Sequence, residues 1–330
     1  MSAHAIDLSH LLTTPLAHDV ERGLSCKGQK SLPSQYLYDE LGSILFDAIT
    51  ALPEYGLTRA DSRLLRAHSA EIVSALPGTH LGAHLNIVEL GSGTGAKTSW
   101  ILRAAAQVAN EVIYQPIDIS ETAVQQCAKA MDAIEGVTVQ PQTATYLEGL
   151  EKIAARRDPR QSMLVLFLGS TIGNFDFAAA RAFLSSIRAL LQPGDGLLLG
   201  TDLVKPLPQM LAAYDDPTGV TAAFNLNLLG RINRELDGNF NLRQFSHEAR
   251  FNEGESRIEM HLRSKIGQTV NVSRLDRHFV FRAGETIWTE GSYKFRRSEV
   301  DAMARATGFA VGGQWVDHEW PFAETLIMAK

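Results

Sequence analysis

Apolar and polar positions in the middle of the chain alternate between two kinds of segment. LNIVEL (85–90), EVIYQPIDIS (111–120), VTVQPQ (137–142), MLVLFLG (163–169) and LLLGTDL (197–203) predict strands. Between them lie stretches that predict helices. One runs over 97–109, with Trp100, Ile101, Leu102 and an alanine run. A second runs over 121–134, opened by Ser120 as N-cap with Glu121 in its first turn. A third runs over 177–191 and is closed by the turn PGDG (193–196). MLVLFLG lacks any polar alternation, as a strand covered on both faces does. Strands alternating with helices of about ten or more residues imply a parallel, doubly wound α/β sheet.

After Val204 the rhythm changes. A helix-rich stretch (208–236) leads to four segments of antiparallel character: FSHEARFN (245–252), RIEMHLRSK (257–265), QTVNVS (268–273) and HFVFRAG (278–284). A helix over 298–308 and two closing strands, 309–318 and 322–330, return to the first pattern. The pattern predicts one α/β domain interrupted by an α+β insertion between its fifth strand and its last helix. The sheet domain takes 60–203 and 297–330. The other domain takes 204–296 together with 1–59, whose first 55 or so residues pack on the insertion.

Composition narrows the classes. The 330 residues are 45% hydrophobic and 21% charged, an ordinary globular balance with chain enough for a large core. A formal net charge of −6 argues against a nucleic-acid partner, which favours a basic face. The N-terminus has scattered His, Asp and Glu and no apolar core of a secretory signal, and no run reaches the roughly 18 apolar residues of a membrane span. Cys26 and Cys127 carry neither zinc spacing nor disulfide density, and read as reduced thiols in a cytoplasmic protein. No amphipathic seam suggests an oligomer, so a monomer is expected. His80 and His84 are four apart, but Gly78 and Gly82 interrupt that stretch, and no metal site is expected. Gly91-Ser92-Gly93 is not the G-x-S-x-G elbow of a serine hydrolase.

The strand-to-helix turn Glu89-Leu90-Gly91-Ser92-Gly93-Thr94-Gly95 is where backbone can approach a nucleotide-like ligand at the mouth of a parallel sheet. Gly91, Gly93 and Ala96 also satisfy the dinucleotide pattern. Glu89 suits an amino-acid ammonium group better than a pyrophosphate, and no hydride-transfer constellation accompanies the loop. The E-x-G-x-G form resembles the first motif of class I S-adenosylmethionine-dependent methyltransferases, with their Rossmann-like sheet. Asp118, ending the second strand, suits ribose hydroxyls, or alternatively caps a helix. Thr145 and Tyr146 follow the third strand, where such enzymes contact adenine.

FLGSTIGNF (167–175) is more specific. It resembles the fourth-strand motif of the L-histidine Nα-methyltransferases of ergothioneine biosynthesis, as do YDELGSILFDAITALPEYGLTRAD (38–61), GTDLVK (200–205), AYDDPTGVTAAFNLNLL (213–229), RIEMHLR (257–263) and TEGSYKF (289–295). The similarity runs from about residue 20 to 330 and keeps the motif order.

The resemblance implies roles residue by residue. Asn174 holds the α-amino and carboxylate groups of L-histidine, helped by Tyr55 and Tyr214. Glu290 and Ser292 face the imidazole, with Tyr38 nearby and Met260 lining the pocket. Asn174 and Tyr38 stand nearest the chemistry. Glu89, Gly91, Ser92, Gly93, Lys97, Asp118, Thr145 and Tyr146 form the S-adenosylmethionine site, Lys97 near the methionine carboxylate. Two positions depart from the family's pattern. Tyr55 is followed by Gly56 and Leu57 where the family commonly has Tyr and Pro, and Thr145-Tyr146 replaces an Asp-Phe pair.

Each residue also has a plainer reading. Glu290 and Ser292 are two apart, so in a strand they would share a face and could simply alternate toward solvent. Asn174 could be a left-handed turn residue, Tyr38 and Tyr55 core aromatics, and Met260 packing. The implied reaction is stepwise methylation of the histidine α-amine up to its trimethylammonium form, hercynine, with other amino acids such as tryptophan or tyrosine as alternative substrates. A buried carboxylate facing imidazole selects histidine, because a substrate without a ring N–H leaves that acid unpaired.

Overall fold

The computed structural model describes residues 14–77, 83–93, 95–158 and 160–330; His80 and the stretch before Thr14 lie outside the described residues. The chain forms two compact units. The first combines the N-terminal segment up to Gly56 with Lys205–Ser292, and the second combines Leu57–Val204 with Tyr293–Lys330.

In the first unit, α1 (Pro15–Leu24) starts at Thr14, whose hydroxyl accepts the Ala17 N–H at 3.2 Å, and buries Leu16, Val20 and Leu24 at helical spacing. After the two-residue strand β1 (Lys30–Ser31), α2 (Glu40–Ala51) is capped by Asp39.

The second unit then runs α3 (Leu57–Ser74), β2 (Ala83–Leu90), α4 (Ser99–Val108), β3 (Ala109–Asp118) and α5 (Glu121–Met131). It continues through β4 (Val137–Val139), β5 (Gln142–Thr143), α6 (Tyr146–Arg156), β6 (Ser162–Phe167), α7 (Phe177–Leu190) and β7 (Gly196–Asp202). Pro141, which has no N–H to give a ladder, parts β4 from β5 within the segment read as one strand.

The chain returns to the first unit for α8 (Leu207–Ala212), α9 (Val220–Leu236), β8 (Phe245–Asn252), β9 (Arg257–Ser264), β10 (Gln268–Val272), β11 (Arg277–Phe281) and β12 (Thr286–Tyr293). It closes the second with α10 (Arg297–Ala306), β13 (Phe309–Val316) and β14 (Phe322–Ala329).

The second unit is a doubly wound sheet of order β13-β14-β7-β6-β2-β3-β4, with β5 also pairing β3. The β7-β6-β2-β3-β4 neighbours are parallel, and β14 runs antiparallel to β7 and β13. Every residue of β7, and all of β6 except Ser162, is buried, which explains their continuous apolar runs. Val165, Phe167, Leu197 and Leu199 pack with Phe183 and Ile187 of α7 in the core. Strand order reverses between β2 and β6, so the ligand crevice of such a sheet belongs at their carboxyl ends.

The first unit holds the sheet β1-β12-β9-β8, with α9 against β8 and β9. Its N-terminal segment packs on the 205–292 segment: β1 pairs with β12, and Asn227 donates to Asp39 Oδ1 at 2.7 Å. The four antiparallel segments read from sequence divide in two, because β10 and β11 pair with one another as a separate ribbon. The place beside β9 goes instead to β12, TIWTEGSY, whose interspersed polar residues hide it from an apolar-run reading.

Candidate active site

The glycine loop follows β2. Gly91, Gly93 and Gly95 all have positive φ (+77, +50 and +68), backbone that side chains resist. Beneath the loop Glu89 is buried and takes hydrogen bonds from Thr98 Oγ1 (2.7 Å) and from the Tyr114 hydroxyl. Burial pushes the Glu89 pKa up to about 7, against the lowering effect of those two bonds. Glu89 therefore anchors the loop from within, and both of its oxygens are engaged by the protein.

Asp118 ends β3 and accepts the N–H groups of Ser120 (3.0 Å) and Gly93 (3.4 Å). A Cβ on Gly91 would stand 3.0 Å from the Tyr146 hydroxyl, so that ring, seated on Phe167 and Phe183, closes over the loop. Burial, then the nearby Asp118 charge, pushes the Tyr146 phenol up to about 12. Thr145 is exposed and donates to Glu148 at 2.8 Å. Ser92 is buried, and the Lys97 ammonium is paired with Asp61.

These groups fit S-adenosylmethionine. Nothing lies within 4 Å of a Cβ built on Gly93, so backbone there is open to a ligand. The Asp118 carboxylate, the Tyr146 ring and the Lys97 ammonium stand around the same strand ends. Gly95 sets a limit of its own, since a Cβ there would lie 2.5 Å from Cys127 Sγ. The Gly95→Ala variant is expected to bind S-adenosylhomocysteine about tenfold more weakly by calorimetry. Adding Cys127→Ala should recover only part of that loss, because the backbone strain persists. Binding within twofold of the parent in the single variant contradicts the argument.

The turn after β6 carries Asn174. Its left-handed residues are Gly169 (φ 70) and Ser170 (φ 59); Asn174 ends a 3₁₀ turn, Thr171–Asn174, and is exposed. Ser170 is held in that strained conformation by accepting the Asp202 N–H on its hydroxyl (2.9 Å) and the Gly173 N–H on its carbonyl (2.8 Å). Gly173 is small by necessity, because a Cβ would meet the Tyr293 carbonyl at 3.0 Å. Asp202 is buried against Lys294 (3.0 Å) and accepts the Trp320 indole N–H (3.0 Å). The turn that carries Asn174 is thus tied, within the second unit, to β7 and to Tyr293.

In the first unit the structure brings Tyr38, Tyr55, Tyr214 and Ser292 into one cluster. Tyr38 meets Phe46 and Phe224 edge-on at 5.4 and 5.5 Å between ring centroids. Tyr55 meets Phe46 and Tyr214, each at 6.3 Å. The Tyr214 hydroxyl donates to Ser292 Oγ at 2.7 Å. Glu290 lies half-buried on β12, its carbonyl accepting the Trp288 indole N–H at 2.8 Å. Met260 is buried on β9.

A polar network behind this cluster escaped the sequence reading. Asn225, fully buried on α9, donates to His247 Nδ1 (2.9 Å) and to the His261 carbonyl (3.2 Å), and accepts from Thr289 Oγ1 (2.7 Å). His247 therefore carries its proton on Nε2 and donates it to the Tyr214 carbonyl at 2.7 Å. Burial lowers the His247 pKa, which favours the neutral ring. The network ties α9, β8, β9 and β12 to Tyr214. Phe46 and Phe224 were missed as well, since nothing in their spacing separates them from core residues.

Among the described residues, His84 is an exposed residue of β2 bonded to Glu111 at 2.7 Å. No group of three or more His, Cys, Asp or Glu there could hold a metal ion.

The sequence model of the family described as histidine-specific, S-adenosylmethionine-dependent methyltransferase matches residues 16–329. The chain is 43% identical to a histidine N-alpha-methyltransferase of Mycolicibacterium smegmatis, over 95% of this chain and 94% of the relative. It is also 43% identical to one of Mycobacterium tuberculosis, over 97% and 96%. Ergothioneine biosynthesis protein 1 of Neurospora crassa is 28% identical over 87% of this chain and 32% of its own length. The chain belongs to the family of S-adenosylmethionine-dependent, histidine-specific methyltransferases.

Proposed function

We infer that this protein transfers methyl groups from S-adenosylmethionine to the α-amino group of L-histidine, up to hercynine, as the first step of ergothioneine biosynthesis. The family match carries the reading, because it spans both units and not the cofactor sheet alone. When bound, S-adenosylmethionine supplies a methyl group on a positively charged sulfur, already activated toward an amine.

The chain's own residues then bind and orient. For the cofactor we assign Gly91, Ser92 and Gly93 to the loop contact, Asp118 to the ribose, Lys97 to the carboxylate, and Thr145 and Tyr146 to the adenine. Glu89 supports the loop. For histidine we assign Asn174, whose amide both donates and accepts, to the α-amino and carboxylate groups, with Tyr55 and Tyr214. Glu290 and Ser292 take the ring nitrogens, Met260 lines the pocket, and Tyr38 stands near the amine. The hydrogen bond from Tyr214 polarises the Ser292 hydroxyl as a donor. Holding the amine against the methyl group supplies most of the acceleration. A site that grips ring and carboxylate leaves room at the nitrogen for the mono- and dimethyl forms.

No helix among the described residues is long and apolar enough to cross a membrane. We place the protein in the cytoplasm as a monomer with no nucleic-acid partner. Incubation with histidine and S-adenosylmethionine, followed by mass spectrometry, should show a product heavier by three CH2 units, one hydrogen leaving the amine for each methyl gained. A product stopping at one methyl rejects trimethylation. Methylation of tryptophan or tyrosine in preference to histidine rejects the substrate.

A further inference from the structure

Asp61, Lys97 and Glu324 form a buried cluster inside the second unit. Asp61, on α3, has no exposed side-chain surface; its Oδ2 accepts from the Lys97 ammonium and from the Gly169 N–H at 3.1 Å. Glu324, on β14 opposite Gly200 of β7, is fully buried and faces Asp61. Neither Glu324 oxygen nor Asp61 Oδ1 has a donor among the surrounding groups. Two buried carboxyls that face one another with orphaned oxygens call for a proton on one of them, because a single ammonium balances only one buried negative charge. Asp61 already accepts from the ammonium and from an N–H whereas Glu324 accepts from none, which assigns the proton to Glu324; burial and the facing Asp61 push that group well above the usual carboxylate range.

The cluster has a direction. The Lys97 side chain is 24% exposed and that of Asp61 0%, so of the pair only Lys97 has surface that a ligand can meet. Lys97 lies just past Gly95, at the ligand edge of the sheet. Glu89, the other carboxyl facing it, is held by Thr98 and Tyr114. Two motif glycines make room for this arrangement. A Cβ on Gly169 would stand 3.2 Å from Lys97 Nζ, and one on Gly200 would stand 2.9 Å from Glu324 Oε1. Burial alone would discharge the lysine, and chiefly Asp61 keeps it charged.

We propose that Asp61 and Glu324 are positioning residues for the amino-acid end of the cofactor: Asp61 keeps Lys97 charged and aimed, and the Glu324 hydroxyl holds Asp61 in place. The proposal rests on reading Lys97 as the contact for the cofactor carboxylate.

Calorimetric binding of S-adenosylhomocysteine and of 5′-methylthioadenosine, which lacks the amino-acid end, separates this role from a merely structural one. The parent should prefer the first ligand. In Asp61→Asn that preference should fall about tenfold, with methylthioadenosine binding almost unchanged. Glu324→Met should lower it about threefold or more, and Glu324→Gln, which can still donate to Asp61, should restore it to within about twofold. A folded Asp61→Asn protein with the parent's preference overturns the proposal, as does Glu324→Gln as damaging as Glu324→Met. If Asp61→Asn fails to fold, the two Glu324 variants decide alone. A parent without any preference refutes the reading of Lys97 itself, a result distinct from variants that leave a clear preference intact.

Discussion

Replacing Glu290 with leucine is expected to lower kcat/KM for histidine about 100- to 1,000-fold, with S-adenosylhomocysteine binding within about twofold of the parent. The size follows from what the change leaves behind. On the proposed assignment, an imidazole N–H bound beside Glu290 without its carboxylate has lost its water and gained no partner. The scaffold should survive, because the strand around Glu290 is held by other groups. The Trp288 indole bonds the Glu290 carbonyl, and its ring lies under the Arg257 guanidinium, 4.7 Å from ring centroid to Arg Cζ. Glu290→Gln, which keeps a hydrogen-bonding group but no charge, should fall between parent and Glu290→Leu. Kinetics with histidine and with tryptophan check the assignment. An equal loss on both substrates, or no loss on histidine, would remove Glu290 from the imidazole contact.

The contribution of Glu89 to the stability of the fold should fall as pH rises from about 4.5 to about 7. Its folded pKa, about 7, lies above the 4.5 expected of the unfolded chain. Below pH 4.5 both states hold the proton and the group's full contribution is present. Above it the unfolded chain ionises while the buried carboxyl resists, and the contribution is lost by the time pH passes 7. The difference between the two pKa values corresponds to about 3 kcal/mol across that window. Urea unfolding at pH 4 and pH 8, on the parent and on Glu89→Gln, measures it. The parent should lose about 3 kcal/mol more than the variant between the two conditions. Identical pH dependence in both proteins would mean that Glu89 titrates normally. Tyr114 and Thr98 donate to this group, so the variant should also report how far the loop depends on its carboxylate.

Much of the sheet was legible as pattern. The runs at 163–169 and 197–203 are apolar because helices cover both faces, and burial on both sides leaves no position for alternation. The glycine loop was legible for a similar reason, since three closely spaced glycines before a helix announce backbone that side chains cannot adopt. Other elements hid because their residues serve contacts. In α3, Asp61 sits on the buried face among Leu57, Ala60, Leu64 and Leu65, which spoils the apolar stripe. In β12, Glu290 and Ser292 interrupt the run. At Asn174 the residue type pointed to a left-handed turn, whereas Gly169 and Ser170 take that conformation.

The order of short-range patterns along the chain was enough to specify a doubly wound sheet, a nucleotide-facing glycine loop and an inserted α+β segment, because periodicity and glycine placement are local properties. The tertiary structure alone decided the electrostatics. Lys97 and Asp61 are 36 residues apart, and Glu324 comes from the last strand. Which carboxyl keeps a proton, which ammonium stays charged and which hydroxyl donates all depend on desolvation and on partners distant in the chain. Those quantities exist only once the chain has packed.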